Sequence, residues 1–204
     1  MICCAMYSLG VFDTQDIKEV EMKLDANGVF FTGRLVDGVK EGHGEILFRN
    51  GDKYIGDFSG GEFHGNGKLV AALGWSYEGS FSRGLPQGKG VFTDENGGVF
   101  EGFFVEGKIN GEGVFDSSAV WSYAGMWDQG RQAGEGVFTY EDGSVYSGGF
   151  KDGAASGLGI YTDVAGWSYE GGFLYGLFEG EGTLFFANGE SITGVWSEGL
   201  QVTS

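Results

Sequence analysis

Aromatic and apolar residues recur along the chain at a constant spacing of 23 residues. We number this site position 1 of a unit, and it holds Phe31, Tyr54, Tyr77, Phe100, Tyr123, Tyr146, Tyr169 and Ile192. Positions 3 and 8 are glycine in all eight units, and positions 12 and 14 are glycine in all seven complete units. Because such a period is the signature of repeat architectures, the sequence predicts one elongated array.

Alternation within the units predicts β-strands. Positions 1, 3 and 5, for example Tyr77, Gly79 and Phe81, share one face of a strand. Glycine at position 8 supplies the positive φ that a tight turn needs, and the apolar residue at position 16 indicates a return strand. Since a lone hairpin is marginal in water, the hairpins must stack. The predicted fold is all-β: an elongated single-layer ribbon of stacked antiparallel β-hairpins.

The glycine at position 3 lies between two rings of its own strand. It lacks a Cβ, so we expect it to let the ring of an adjacent strand lie against the backbone. Connections between units are Asn-Gly or Asp-Gly in alternate units, as at Asn50-Gly51, and end in Trp-Ser-Tyr in the others. The pattern therefore also carries a longer period of 46 residues.

These features resemble a known family. The segment from Tyr77 to Phe81, followed by Gly84, Gly88 and Gly90, resembles the MORN (membrane occupation and recognition nexus) repeat. The resemblance covers residues 31–201, as seven full units and a partial eighth. It implies a β-hairpin ribbon with a scaffolding or docking role, and cytoskeletal or ciliary association is among the settings of this family.

The two ends depart from the pattern. Residues 1–7 and 202–204 are predicted to be tails, and residues 8–30 a degenerate capping repeat. Its segment from Glu19 to Asp25 fits an edge strand, although a helix remains an alternative. The eighth unit lacks an evident return strand after residues 192–196. Its candidate dimer edge, at Ile192, Val195 and Trp196, predicts a possible homodimer, unless the last five residues fold back over it.

Composition and charge narrow the functional classes. With 42 glycines and 16% aromatic residues, the chain is too glycine-rich for long helices and too aromatic for disorder. Its net charge of −17 argues against nucleic acid and disfavours anionic membranes. Two alternatives stay open: a phosphoinositide- or membrane-associated protein, which the family name suggests, and a regulatory partner of an enzyme.

Candidate chemistry is sparse. We expect no catalytic, cofactor or metal site, because the only histidines, His43 and His64, lie in glycine-rich turns and no catalytic motif is present. The protein is therefore expected to be a non-enzymatic, cytoplasmic scaffold that binds protein partners. Cys3 and Cys4 are free thiols or, alternatively, a dual acylation site. The candidate partner-binding residues, with core packing as the alternative, are Trp75, Trp121, Trp167, Tyr77, Tyr123 and Tyr169.

Overall fold

The computed structural model describes residues 16–24, 28–118 and 120–202, with backbone alone for residues 21–24. All regular elements in these ranges are strands of one antiparallel sheet, in which each strand pairs with the next along the chain. The predicted all-β ribbon of hairpins is confirmed. The strands are β1 Ile17–Leu24, β2 Phe30–Val36, β3 Val39–Leu47, β4 Lys53–Ser59, β5 Glu62–Val70, β6 Ser76–Ser82, β7 Leu85–Thr93, β8 Val99–Val105, β9 Lys108–Asp116, β10 Ser122–Asp128, β11 Arg131–Thr139, β12 Val145–Lys151, β13 Ala154–Thr162, β14 Ser168–Leu174, β15 Leu177–Phe185, β16 Ser191–Ser197 and β17 Leu200–Gln201.

Each end of the sheet carries one strand beyond the complete units, β1 with eight residues and β17 with two. For the segment that begins at Glu19, the sequence allows a strand or a helix. In the structure it is part of strand β1, which pairs with β2. At the other end, β17 pairs with β16, and the Val202 amide donates to the Val195 carbonyl at 2.8 Å. The expectation that no return strand follows residues 192–196 is therefore wrong, and the alternative, a fold-back over this edge, describes the structure.

Each hairpin turns in two residues with positive φ, at positions 7 and 8. Asp152 and Gly153, for example, have φ of 53° and 89°. This geometry is that of a type I′ turn, which matches the twist of the flanking strands. The position 8 amide also donates to the position 10 carbonyl of the preceding unit, as from Gly153 to Gln132 at 3.0 Å. Neighbouring turns are thus tied to one another along one side of the ribbon.

A bulge explains the glycine at position 12. In every complete hairpin the register slips after position 3, so that Gly125 opposes Gly136 whereas Met126 opposes Ala133. The slip leaves two additional residues on the return strand, and Gly134 at position 12 adopts a φ of 58° there. Bulges of this kind increase the local twist of a sheet. The return strand pairs without a slip with the following hairpin.

An aromatic ring lies over a pair of glycines in the hairpin. Gly125 and Gly136 face each other across β10 and β11. A Cβ at Gly136 would lie 2.6 Å from Cζ of Tyr123, and one at Gly125 would lie 2.6 Å from the hydroxyl of the same ring. The glycines make room for a ring, but the expectation that an adjacent strand supplies it at position 3 is wrong. The ring comes from position 1 of the same strand, and it covers both the glycine on its own strand and the one opposite.

The rings form one continuous buried spine along the ribbon. Each ring at position 1 contacts the position 5 ring of the next unit and, except at Phe31, whose own position 5 is Leu35, that of its own unit, edge to face, with centroids 4.7–5.5 Å apart. This geometry suits the quadrupoles of aromatic rings. In spatial order the spine is Phe31, Phe58, Tyr54, Phe81, Tyr77, Phe104, Phe100, Trp127, Tyr123, Phe150, Tyr146, Phe173, Tyr169 and Trp196.

The close approach of ring and glycine generates a prediction for stability. Gly136→Ala should lower the free energy of unfolding by about 2–3 kcal/mol, because the added methyl group overlaps the Tyr123 ring. In a Tyr123→Leu background most of this loss should disappear, since leucine does not reach the glycine. Urea unfolding followed by circular dichroism measures both effects as a double-mutant cycle.

Gly143→Ala is the matched control for this cycle. Gly143 has a φ of 89° and open space where a Cβ would lie, so alanine there costs roughly 1–2 kcal/mol through backbone strain alone. This cost should be the same with Tyr123 or Leu at residue 123. An equal loss for Gly136→Ala in both backgrounds would show that the ring is not what requires glycine.

Candidate docking groove

The face of the sheet opposite the spine carries an exposed row of apolar residues. Position 15 of four successive units holds Val91, Val114, Val137 and Ile160, whose side chains are 37–49% exposed. Side chains alternate between the two faces of a strand, so position 15 points away from the glycine at position 14 and from the spine. Successive members lie two strands apart, a separation of about 9.6 Å. They form what we term the apolar row.

Acidic residues flank and interrupt the apolar row. Glu101 lies directly opposite both Val91 and Val114. A parallel line at position 13 adds further carboxylates on the same face. We use the term acidic groove for the apolar row together with its glutamates, which are Glu78, Glu101, Glu112, Glu135, Glu170 and Glu181.

The groove contains two depressions large enough to hold several side chains. One has a volume of about 690 Å³ and includes Val91, Phe103 and Val114. The other has a volume of about 750 Å³ around Leu158 and Ile160. Glycines at positions 3 and 14 are among the lining residues of both depressions. Because glycine has no side chain, its backbone is accessible from the groove. The floor of each depression is therefore glycine backbone, and charged glutamate side chains stand at its sides.

Charge is distributed unevenly along the acidic groove. Toward the N-terminal end Lys68 pairs with Glu78 at 2.9 Å, and Lys89 lies 5.4 Å over the Phe103 ring. The residues that line the C-terminal depression include three glutamates and neither lysine nor arginine. Residues 109–204 as a whole hold 2 basic and 13 acidic residues, a balance of −11. The C-terminal part of the groove is thus the most negative.

The three candidate tryptophans lie on the other face, beside the spine. All are half-buried, and they contact the position 16 rings of adjoining strands rather than the tyrosines two residues on. Trp121 stacks on Phe138 with centroids 5.2 Å apart, and Trp75 lies 6.1 Å from Phe92. Trp167 likewise contacts Tyr161, at 5.1 Å. Their role in binding a partner stays a prediction.

The three candidate tyrosines are buried, so their assignment as partner-contacting residues is wrong. Tyr77 is 2% exposed, and Tyr123 and Tyr169 are 0% exposed. The ring lies flat over the glycine pair and is enclosed by spine rings on both sides. The hydroxyl of Tyr123 donates to the Met126 carbonyl at 2.9 Å, and that of Tyr77 donates equivalently to Ser80. These tyrosines are core residues even though the sheet has a single layer.

Burial changes the acidity of these tyrosines. Desolvation alone raises the pKa of Tyr77 to about 12, and desolvation together with the nearby charge of Glu135 does the same for Tyr123 and Tyr146. Desolvation, reinforced by Asp57, also raises the pKa of Tyr54 to about 12. The neutral phenol is thus the form that the folded ribbon favours.

The other predicted residues lie at the ends or in turns. Trp196 is 6% exposed, because it closes the spine against Tyr169 and its indole donates to the Gly182 carbonyl at 3.3 Å. It therefore offers little surface to a second copy, whereas Ile192 and Val195 are exposed. A homodimer through this edge stays a prediction. Cys3 and Cys4 lie outside the described residues.

One histidine side chain, that of His43, contacts a carboxylate, and this contact is exposed. His43 Nδ1 lies 3.2 Å from an Asp57 carboxylate oxygen on the groove face, and both side chains are exposed. Within the ranges that the structure covers, no group of three or more His, Cys, Asp or Glu residues is placed to hold a metal ion. The same ranges contain no helix long and apolar enough to cross a membrane.

The sequence contains the apolar row, but the repeat pattern alone does not reveal it. Val91, Val114, Val137 and Ile160 keep the period of 23, yet the same position is charged in Glu45 and Lys68 and polar in Thr183. A position that varies in this way is less noticeable in the sequence than the strictly repeated glycines and rings. Its signal is that four consecutive units carry an aliphatic side chain at a position predicted to face solvent.

Comparison with known proteins identifies the repeats. A family model described as MORN repeat matches residues 31–53, 54–72, 77–99, 100–118, 123–145, 146–168 and 169–191. No curated protein matches the chain. Among solved structures it is similar to the SAS-4 (dCPAP) TCP domain of Drosophila melanogaster in complex with a proline-rich motif of Ana2, with a TM-score of 0.46 and 12% identity over 95% of this chain and 96% of that one.

A second solved structure is similar at the same level of identity. It is the wild-type TCP10 domain of Danio rerio CPAP in complex with a peptide of STIL. The TM-score is 0.38, with 12% identity over 88% of this chain and 97% of that one.

The buried tyrosines predict a loss of stability in alkali. Their pKa of about 12 lies above the ordinary 10, so the unfolded chain loses these protons first. Stability should be complete below pH 10 and should fall as the pH rises toward 12. Urea midpoints between pH 8 and 11 measure this fall. Tyr77→Phe keeps the ring and should reduce the dependence on pH, and an unchanged slope would contradict the assignment.

Proposed function

Because the chain belongs to the MORN-repeat family, we propose that it is a non-enzymatic scaffold whose acidic groove binds a segment of a protein partner. The observation that supports this proposal is the apolar row, four exposed aliphatic side chains on one line across successive strands. Exposed aliphatic residues that line up along one surface are more typical of interaction sites than singly scattered ones.

The groove indicates the chemistry of its partner. Glutamates beside the apolar row favour a segment that combines aliphatic and basic side chains. The spacing of about 9.6 Å along the row sets the distance between successive apolar anchors of that segment. Phosphate-bearing or acidic partners would meet repulsion from the same glutamates. A basic, partly apolar polypeptide is therefore the occupant that we propose.

The cellular setting and the enzymatic alternative rest on the family alone. We propose association with the cytoskeleton or cilium, or a role as regulatory partner of an enzyme, because MORN repeats occur in such settings. A cytoplasmic location stays a prediction from the sequence. A scaffold that binds basic segments is compatible with either setting. The identity of the captured partner will distinguish them.

Removing the apolar anchors should abolish partner capture. We expect a Val114→Asn, Val137→Asn double variant to recover partners at least about tenfold less than the unaltered protein, since each lost contact contributes about 1 kcal/mol. Affinity purification from cells with quantitative mass spectrometry measures the loss. Capture by the unaltered chain should also weaken at high salt, because exposed charges are screened.

Val164→Asn is the matched control for the groove variant. Val164 is 68% exposed in the loop between β13 and β14, away from the apolar row. Its replacement should leave the set of captured partners unchanged. If the double variant folds with a normal urea midpoint and retains every partner, the acidic groove is not the docking surface.

The charge balance predicts that the protein does not bind anionic lipid. Each Lys or Arg near such a surface contributes about 1 kcal/mol, and here acidic residues exceed basic ones by 17. We expect no sedimentation with phosphatidylserine vesicles, with or without a phosphoinositide, at physiological salt. Vesicle binding that salt reverses would favour the phosphoinositide alternative over the protein scaffold.

A further inference from the structure

Position 10 of the return strand varies from unit to unit, and it is an aromatic residue in two of the seven complete units. In both of these units it covers the position 1 ring. Phe63 stacks on Tyr54 with centroids 3.7 Å apart, and Phe178 stacks on Tyr169 at 3.8 Å. In the unit that begins at Tyr146, position 10 is Ala155, whose side chain is a single methyl group.

The small side chain of Ala155 leaves a cavity of about 210 Å³ on the spine face. Its floor consists of the buried residues Ala155, Tyr146 and Phe173. Its walls are less buried, and they consist of Gly176 and four aromatic residues, Tyr140, Tyr161, Trp167 and Phe178. Tyr161 and Trp167 lie 5.1 Å apart with their planes tilted by 44°, so that they form a corner rather than a flat stack. This aromatic pocket is on the opposite face of the sheet from the acidic groove.

Carboxylates lie beside the aromatic pocket, next to Tyr140 and Tyr161. An adjoining depression shares Tyr140 and Tyr161 and is completed by Glu141 and Asp142. The Tyr161 hydroxyl donates to an Asp163 carboxylate oxygen at 3.3 Å. Desolvation, with smaller contributions from Tyr161 and Asp142, raises the pKa of Tyr140, which places the Asp142 charge within electrostatic range of the pocket wall.

Little positive charge is available in this part of the chain to neutralise these carboxylates. Residues 109–204 contain only Arg131 and Lys151 as basic residues. Arg131 already pairs with Asp152 at 3.0 Å. Walls of aromatic rings attract a cation through their quadrupoles, most strongly for tryptophan, and the adjacent carboxylates add to this attraction.

We propose that the aromatic pocket binds an arginine side chain of a protein partner. A volume of about 210 Å³ is below the range typical of drug-sized ligands and suits a single side chain. Arginine is favoured over lysine because its planar guanidinium stacks on rings and is more weakly hydrated. The site does not depend on the acidic groove, since no residue lines both. An experiment can therefore contradict the proposal for one site and leave the proposal for the other intact.

N-acetyl-arginine amide serves as the probe, with the neutral isostere N-acetyl-citrulline amide and with N-acetyl-proline amide as comparisons. Each is titrated into the ¹⁵N-labelled full chain at millimolar concentrations, and the Trp167 indole resonance is followed by NMR. The arginine probe should shift this resonance, and the citrulline probe should bind at least about tenfold more weakly. Equal binding of citrulline or proline, or no shift with arginine, would overturn the proposal.

Ala155→Phe tests whether the pocket is the site. Phenylalanine here repeats the arrangement of Phe63 on Tyr54, so the variant should fold, unfold at an equal or higher urea concentration, and lose arginine binding. Gln132→Phe makes the same kind of change at position 10 of the preceding unit, outside the pocket, and should keep binding. Arginine binding that persists in Ala155→Phe would contradict the proposal.

A charge variant keeps the test decisive if Ala155→Phe does not fold. Asp142→Asn lies in an exposed loop and leaves the aromatic walls in place. It should weaken binding of the arginine probe several-fold and leave the citrulline titration unchanged. No difference between Asp142→Asn and the unaltered chain, for the arginine probe, would show that the carboxylates do not contribute and would overturn the charge argument.

Discussion

The contact between an aromatic ring and two opposed glycines determines the rest of this structure. In each complete hairpin one ring lies flat against the backbone of two strands, at distances that a single Cβ would block. A single-layer sheet has no second layer in which to bury its side chains. By lying along the sheet instead of standing on it, the rings bury each other edge to face, and a hydrophobic core forms within the thickness of one sheet.

This constraint also separates the two faces of the ribbon. The spine takes the positions that are strictly repeated, because each ring must fit between the rings of two neighbouring units. The opposite face meets no such requirement, so its positions vary from unit to unit among charged, polar and aliphatic side chains. Variation on that face gives the acidic groove its individual charge pattern. The geometry of one face is repeated in every complete unit, and the residues on the other face vary from unit to unit.

Much of the fold could be predicted from sequence, since its strongest features are strictly periodic. Position 3, position 8 and the rings at positions 1 and 5 predicted the hairpins, the tight turns and their stacking. The bulge at position 12 was not predicted, because a glycine column does not reveal whether it serves a turn or a register slip. The burial of Tyr123 is not predictable from spacing, because spacing does not define the orientation of a ring relative to the sheet.

The candidate sites were harder to predict for a related reason. The apolar row depends on which face each residue occupies, and the bulge moves the positions that follow it relative to the opposite strand. The aromatic pocket depends on the small Ala155 at position 10, which varies between units, and its effect appears only once a residue at this position is known to cover a ring. Periodicity reveals what every unit shares, whereas binding surfaces arise where one unit differs.

The direction of the hydrogen bonds has a mechanical consequence. All strands run across the ribbon, so the ladders between them, and the turn-to-turn bonds such as that from Gly130 to Ile109 at 2.9 Å, lie along its length. Tension applied at the two ends would load one ladder at a time, in the manner of a zipper, rather than shearing many together. Each hairpin that opens would release 23 residues, a chain length of about 80 Å at about 3.5 Å per residue, in place of the roughly 10 Å that the folded unit spans along the ribbon. A ribbon anchored at both ends would thus yield in steps of one unit, as an extensible tether.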